Sequence, residues 1–202
     1  VNKLTLPLAS RIVAPRCVSR GLLRFIGDSS VIEDFDGVFE VAWVSRFKPS
    51  MDVLGIVGVS PFEYAVVRTE ESKAAYYRWR GREPTRLHGL VRELAGHVRV
   101  VVYCRYENQQ AYLREVLREQ VKSGRVILLG RALEMQSLEY YSRLVVTGGS
   151  SMAQESALMG TPSITLFPER LETFRYISEK GFPLYHEADL DEATDLAVSL
   201  AC

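Results

Sequence analysis

The chain has 202 residues, 47% of them hydrophobic and 25% charged, and its 25 Lys and Arg are balanced by 25 Asp and Glu. This composition excludes a disordered chain, and zero net charge gives no footing for nucleic acid or an anionic membrane as the main partner. No apolar run approaches the roughly 18 residues of a membrane span, no signal-peptide pattern occurs, and Cys17, Cys104 and Cys202 are too scattered for a disulfide framework or a metal knuckle, which fits a cytoplasmic protein.

The first 47 residues carry candidate strands at 11–14 and 31–35 around a helix at 17–26, with Asp36-Gly37 as a turn signal. Two strands and a helix do not make a stable domain. Lys48-Pro49-Ser50 then reads as a hinge, and the chain opens on Val1 inside an apolar-rich segment. Two readings stand. Residues 1–47 are the remnant of a preceding domain, or they pack directly onto the main domain.

From residue 48 to 202 the pattern alternates. Short apolar strands are expected at 64–68, 98–104, 126–129, 144–146, 163–167 and 183–185. Helical patterns at 70–80, 85–95, 107–122, 134–142, 151–159, 169–180 and 191–200 fill the intervals. Six such strands predict an α/β fold, an open parallel Rossmann-like sheet with helices on both faces. The arginine cluster Arg78, Arg80, Arg82 and Arg86 around Trp79 reads as a solvated helix end and loop.

In such a sheet, ligands bind beyond the carboxyl ends of the strands near the switch in strand order. Arg68 ends the first regular strand, Arg105 follows the second, and Gly148-Gly149 follows the fourth. Glycines at the start of a helix expose amides suited to phosphate, and Ser150 and Ser151 are natural helix caps. Two guanidinium groups facing them would complete a diphosphate pocket. The competing readings are a glycine pair kept for tight packing and arginines kept for ion pairs. Glu155 would accept from a ribose diol or, equally, serve the helix dipole or a cap. Glu107 and Gln109 read as a polar helix start. His88, His97 and His186 show no metal-ligand spacing, and no GxSxG, Walker or GxGxxG motif occurs.

The segments FDGVFEVAW, YAVVRTEESKAAYY, CRYENQ and TGGSSMAQESALMGTPSI together resemble an uncharacterised, largely archaeal family related to UDP-N-acetylglucosamine 2-epimerases and GT-B glycosyltransferases. The resemblance covers nearly the whole chain but only the C-terminal part of the usual protein. It implies that residues 1–47 belong to a GT-B N-terminal domain and linker, and that 48–202 form the nucleotide-sugar-binding domain. It also implies a UDP-like ligand with no cofactor and no metal. Glu155, five residues before Gly160, looks like the epimerase glutamate that holds ribose, and Gly148 and Gly149 look like the glycines near the diphosphate. The sequence departs from the epimerases in a longer Gly149–Glu155 interval and in Arg68-Thr69-Glu70, where they carry a histidine-bearing motif. The alternative is a non-catalytic α/β interaction module that docks to a missing domain or to a second copy. A phosphosugar isomerase or hydrolase would need an acid/base pair that these residues do not assemble.

Overall fold

The structure, a computed structural model, describes residues 2–26, 31–74, 83–130 and 133–202. It opens with a helical turn α1 (Asn2–Thr5) and a 3-10 turn (Leu6–Leu8), then β1 (Ile12–Pro15), α2 (Arg16–Ile26) and β2 (Ile32–Phe35). Short helices α3 (Val41–Val44) and α4 (Asp52–Val57) lead into β3 (Tyr64–Arg68). The remaining elements are α5 (His88–His97), β4 (Arg99–Tyr103), α6 (Glu107–Val116), α7 (Arg118–Lys122), β5 (Val126–Leu129) and α8 (Met135–Tyr140). They continue through β6 (Leu144–Thr147), α9 (Ser151–Leu158), β7 (Ser163–Thr165), α10 (Glu172–Glu179), β8 (Leu184–His186) and α11 (Leu190–Ala201).

Strands β3 to β8 form one six-stranded sheet of order β5-β4-β3-β6-β7-β8, parallel throughout. The six expected strands all occur, shifted at their ends by a residue or two. The order reverses between β3 and β6, so the switch point opens above Arg68 and Thr147, which pair across that gap.

Strand alternation divides the core cleanly. Ala65, Val67, Val100, Val102, Leu144 and Val146 face α5, α6 and α11 on one side. Tyr64, Val66, Val101 and Val145 face α4, α8 and α9 on the other. All ten are fully buried, which is why the strands read as unbroken apolar runs rather than as half-polar ones. Each such valine or leucine contributes about 1.5–3 kcal/mol of transfer free energy. Gly160, at φ +91°, ends α9 in a left-handed turn, and the Thr161 amide donates back to the Ser156 carbonyl at 3.0 Å.

Some expectations are corrected. The helix expected at 107–122 breaks at Leu117, whose buried side chain (φ −113°, ψ 26°) serves the core better than a straight helix would. The helix expected at 70–80 does not begin there, because residues 72–74 form a turn and Glu70 is drawn into buried hydrogen bonds with the Thr85 hydroxyl and the Arg86 amide. Residues 75–82, with the remainder of that expected helix and with Trp79, Arg78, Arg80 and Arg82, lie outside the described residues.

Strands β1 and β2 form a separate two-stranded parallel sheet. The N-terminal segment packs onto α9 and α10 through buried Val38, through Tyr176, whose hydroxyl donates to Asp36 at 2.8 Å, and through Gln154, whose Nε2 donates to Glu40 at 3.1 Å. Lys48-Pro49-Ser50 has no regular secondary structure, and the Ser50 amide donates to the Ser137 hydroxyl oxygen on α8 at 3.0 Å.

Candidate functional site at the switch point

Two loops meet where the strand order reverses. The loop after β3 is braced from behind by Gln109, which is fully buried. Its Oε1 accepts from the Thr69 hydroxyl at 2.7 Å, and its Nε2 donates to the carbonyls of Glu70 (3.0 Å) and Pro84 (3.2 Å). The Arg105 amide donates to Thr69 Oγ1 at 2.8 Å, so one hydroxyl joins the loops after β3 and β4. Gln109 is thus more than a polar helix start. It is the clamp that holds the rim of the sheet in shape.

The loop after β6 approaches the β3 loop closely. A Cβ built on Gly148 would lie 2.5 Å from the Cβ and 2.6 Å from the Cα of Glu70, so no larger residue fits without moving backbone. Gly149 is different. A Cβ there would meet only Thr147 Oγ1, at an ordinary 3.6 Å, so packing does not demand the glycine. The expectation of bare amides at both glycines is corrected. The Gly148 amide donates to the Arg68 carbonyl at 3.2 Å and the Gly149 amide to Thr147 Oγ1 at 3.0 Å.

The open amides lie one step further on. Ser150 makes no side-chain cap, contrary to expectation, because its backbone is already helical (φ −90°, ψ −51°) rather than extended. Among the described residues the amides of Ser150, Ser151 and Met152 have no acceptor, the first backbone bond of the helix running from Gln154 to the Ser150 carbonyl. These groups carry the positive end of the α9 dipole.

A cavity of about 170 Å³ sits against them, lined by Arg68, Thr69, Glu71, Arg105, Thr147, Gly149, Ser150, Ser151 and Met152. The structure therefore gathers five of the expected residues, Arg68, Arg105, Gly149, Ser150 and Ser151, around one space. Gly148 stands behind it. Glu155 is half-buried one turn down α9 from Ser151, on the same helix face, about 6 Å away by helix geometry and outside the lining. A second cavity of about 190 Å³, lined among others by Cys104, Tyr106, Gln110 and Gly130, shares Arg105 with the first. Each is smaller than the ~300–1,000 Å³ that encloses a whole drug-sized ligand, but the first suits a phosphate or diphosphate.

The two arginines are not equivalent. Arg105 Nε lies 2.7 Å from Glu71 Oε2, an ion pair across the cavity mouth. Arg68 has no carboxylate within ion-pair distance among the described residues, and its guanidinium lies 5.5 Å from the Tyr103 ring centre. Glu71 carried no sequence signal, since its contact with Arg105 depends on the β3–β4 pairing.

Behind α9 lies Glu139, 2% exposed. The Ser156 hydroxyl is 2.8 Å from the Met152 carbonyl and 2.9 Å from Glu139 Oε2, yet it has one hydrogen to donate. Both contacts are satisfied when Glu139 is protonated and donates to Ser156, which donates onward to Met152. Burial in turn pushes the Glu139 carboxyl up to about 8, with Glu155 adding to the rise and Arg68 opposing it. Burial also raises Glu40, and the charge of Glu155 raises it further. Near Cys104, burial pushes the thiol up to about 12, leaving it an inert thiol. His186 is half-buried at the end of β8, with Nε2 2.8 Å from the Phe167 carbonyl.

This six-stranded parallel sheet flanked by helices is a fold shared with sugar-nucleotide epimerases and GT-B-like transferases. The fold is similar to UDP-GlcNAc 2-epimerase of Methanocaldococcus jannaschii solved with UDP-GlcNAc and UDP, with a TM-score of 0.69, 18% identity, and coverage of 98% of this chain and 56% of that one. It is also similar to Anabaena Alr3699/HepE solved with UDP (TM-score 0.53, 16% identity, covering 95% and 53%) and to Escherichia coli heptosyltransferase WaaC solved with ADP (TM-score 0.52, 13% identity, covering 90% and 54%). The chain belongs to the family of proteins of unknown function DUF354, whose model matches residues 1–201. A relative, the uncharacterized protein MJ0665 of Methanocaldococcus jannaschii, is 29% identical over 199 residues, covering 95% of this chain. The chain spans about half the length of these relatives, 54% of MJ0665 and 56% of the epimerase.

Proposed function

We propose that this chain is the nucleotide-sugar-binding part of a GT-B-type glycosyltransferase or sugar-nucleotide-modifying enzyme. The observation that carries the reading is the uncapped start of α9 facing Arg68, a cation without a carboxylate partner among the described residues, at the switch point of the sheet. A UDP-like diphosphate would accept from the Ser150 and Ser151 amides and from Arg68, over the bare Cα of Gly149. Arg105 would exchange Glu71 for a phosphate oxygen. Glu155, whose carboxylate accepts no hydrogen bond from the described residues, would take the ribose hydroxyls one turn away.

Such a site stabilises the negative charge that grows on a departing nucleoside diphosphate, through fixed amides and guanidinium groups that need no reorganisation. In this reading Gly148 is structural, holding the two loops at the spacing the site requires. Residues 1–47 are assigned to a second domain, which would supply the acceptor and any general base. A two-stranded parallel sheet with Val13 exposed supports that assignment, since parallel sheets are stable when both faces are covered.

Calorimetric titration with UDP and UDP-sugars tests the proposal. Saturable binding that weakens about tenfold or more in Arg68→Ala supports it. Absence of heat and of thermal stabilisation at about 1 mM ligand would overturn it.

A further inference from the structure

The groove between α2 and α10 lies apart from the switch point and measures about 650 Å³. Its floor is apolar. Cys17, Val18, Leu22 and Phe25 of α2 face Leu171 at the start of α10, and all five side chains are half-buried. The only fully buried residue of α2 is polar, Ser19, so this amphipathic helix turns its apolar stripe toward the groove rather than into a core. The rim is cationic. Arg20, Arg24, Arg170 and Arg175 line it, with Glu172 the single carboxylate of the lining among the described residues, in a chain whose net charge is zero. Arg175 is paired with Glu172 at 2.7 Å, whereas Arg20, Arg24 and Arg170 have no carboxylate partner among the described residues. Arg24 is held in place, its Nε donating to the Gly21 carbonyl at 2.9 Å and its guanidinium 5.2 Å from the Phe25 ring centre.

An apolar floor beneath several unmatched guanidinium groups calls for a ligand with a hydrocarbon body and an anionic end. Apart from the first turn of α10, whose Glu172 and Thr173 amides have no acceptor among the described residues and favour an anion, the walls are helix sides with their backbone groups paired, so an acidic peptide laid along them would leave most of its own amides unpaired. A hydrocarbon chain has none to satisfy, and a phosphate monoester meets arginine in a forked geometry. We propose that the α2–α10 groove binds a single long-chain alkyl or isoprenoid phosphate, its chain against Leu22 and Phe25 and its phosphate between Arg20, Arg24 and Arg170. This site is independent of the UDP reading, and either can stand if the other fails.

The test is calorimetry of the protein with octyl and dodecyl phosphate, each kept below its micelle concentration. Dodecyl phosphate is expected to bind, and to bind more tightly than the octyl ester, because each further buried methylene tightens binding by about fourfold. Dodecanol and inorganic phosphate should each bind about tenfold or more weakly than the ester. The surface pair Arg20→Ser with Arg170→Ser and, separately, Leu22→Asn should each weaken the ester about tenfold, with circular dichroism unchanged. Three results would overturn the proposal. One is no binding of dodecyl phosphate, including the case in which only vesicles rich in phosphatidylglycerol or an acidic peptide bind. Another is affinity that does not depend on chain length. The last is binding lost in Arg68→Ala but kept in the groove variants, which would place the phosphate at the switch-point cavity.

Discussion

Gly148 and Glu70 stand so close that a methyl group added at position 148 would lie 2.5 Å from the Cβ of Glu70. Its neighbour Gly149 has ordinary room on the protein side and borders the switch-point cavity. Two adjacent glycines therefore serve different ends. Gly148→Ala is expected to cost about 2–4 kcal/mol of stability, because backbone rather than a flexible side chain must move. Gly149→Ala should cost less than about 1 kcal/mol but weaken UDP about tenfold, since its methyl enters the space assigned to phosphate. Denaturant melts paired with UDP titrations read both effects. Equal destabilisation by the two variants would contradict this division.

The ion pair between Glu71 and Arg105 places a carboxylate at the mouth of the same cavity. An incoming diphosphate must displace that carboxylate or share Arg105 with it. Glu71→Gln is expected to tighten UDP and pyrophosphate about three- to tenfold at low salt, with the gain fading as ionic strength rises. Arg105→Ala should weaken the same ligands by less than Arg68→Ala does, because Arg105 begins already paired. An unchanged or weaker affinity in Glu71→Gln would show that the carboxylate contacts the ligand rather than competing with it.

Glu139 carries a pH signature. Burial raises its carboxyl from the ordinary 4.5 to about 8 in the folded protein. The folded state therefore holds a proton that the unfolded chain releases from pH 4.5 upward. Stability from this group is fully present below about pH 4.5, declines as pH rises, and is lost by about pH 8. The integrated effect is on the order of 5 kcal/mol. Glu139→Gln, whose amide can still donate to Ser156, should match the parent protein near pH 4.5 and exceed it at pH 8 in thermal melts. Parallel melting curves for the two proteins from pH 5 to pH 8 would refute the buried-acid description (an arrangement not visible from the sequence).

The sheet was legible because β3, β4 and β6 are buried on both faces, so their residues form unbroken Val- and Leu-rich runs. The grouping of Arg68, Arg105 and the Gly-Gly-Ser-Ser turn around one cavity was legible for the same reason, since all lie at the carboxyl ends of the strands in such a sheet. What stayed hidden depends on distant partners. The need for glycine at 148 arises from Glu70 in the loop after the neighbouring strand β3, the pairing of Arg105 from Glu71, and the role of Gln109 from carbonyls at Glu70 and Pro84. The free amides fell at Ser150 and Ser151 rather than at the glycines because Thr147 and Arg68 satisfy the glycine amides locally. The break at Leu117 reflects a core contact that overrides a continuous helical pattern.

The most direct measurement follows the amide resonances of the loop after β6 by proton–nitrogen NMR during a UDP titration. The account predicts that Ser150 and Ser151 show the largest shifts, that Gly148 moves little, and that Arg68→Ala abolishes the response at the same ligand concentration. Saturable UDP binding that leaves Ser150 and Ser151 unmoved would contradict it.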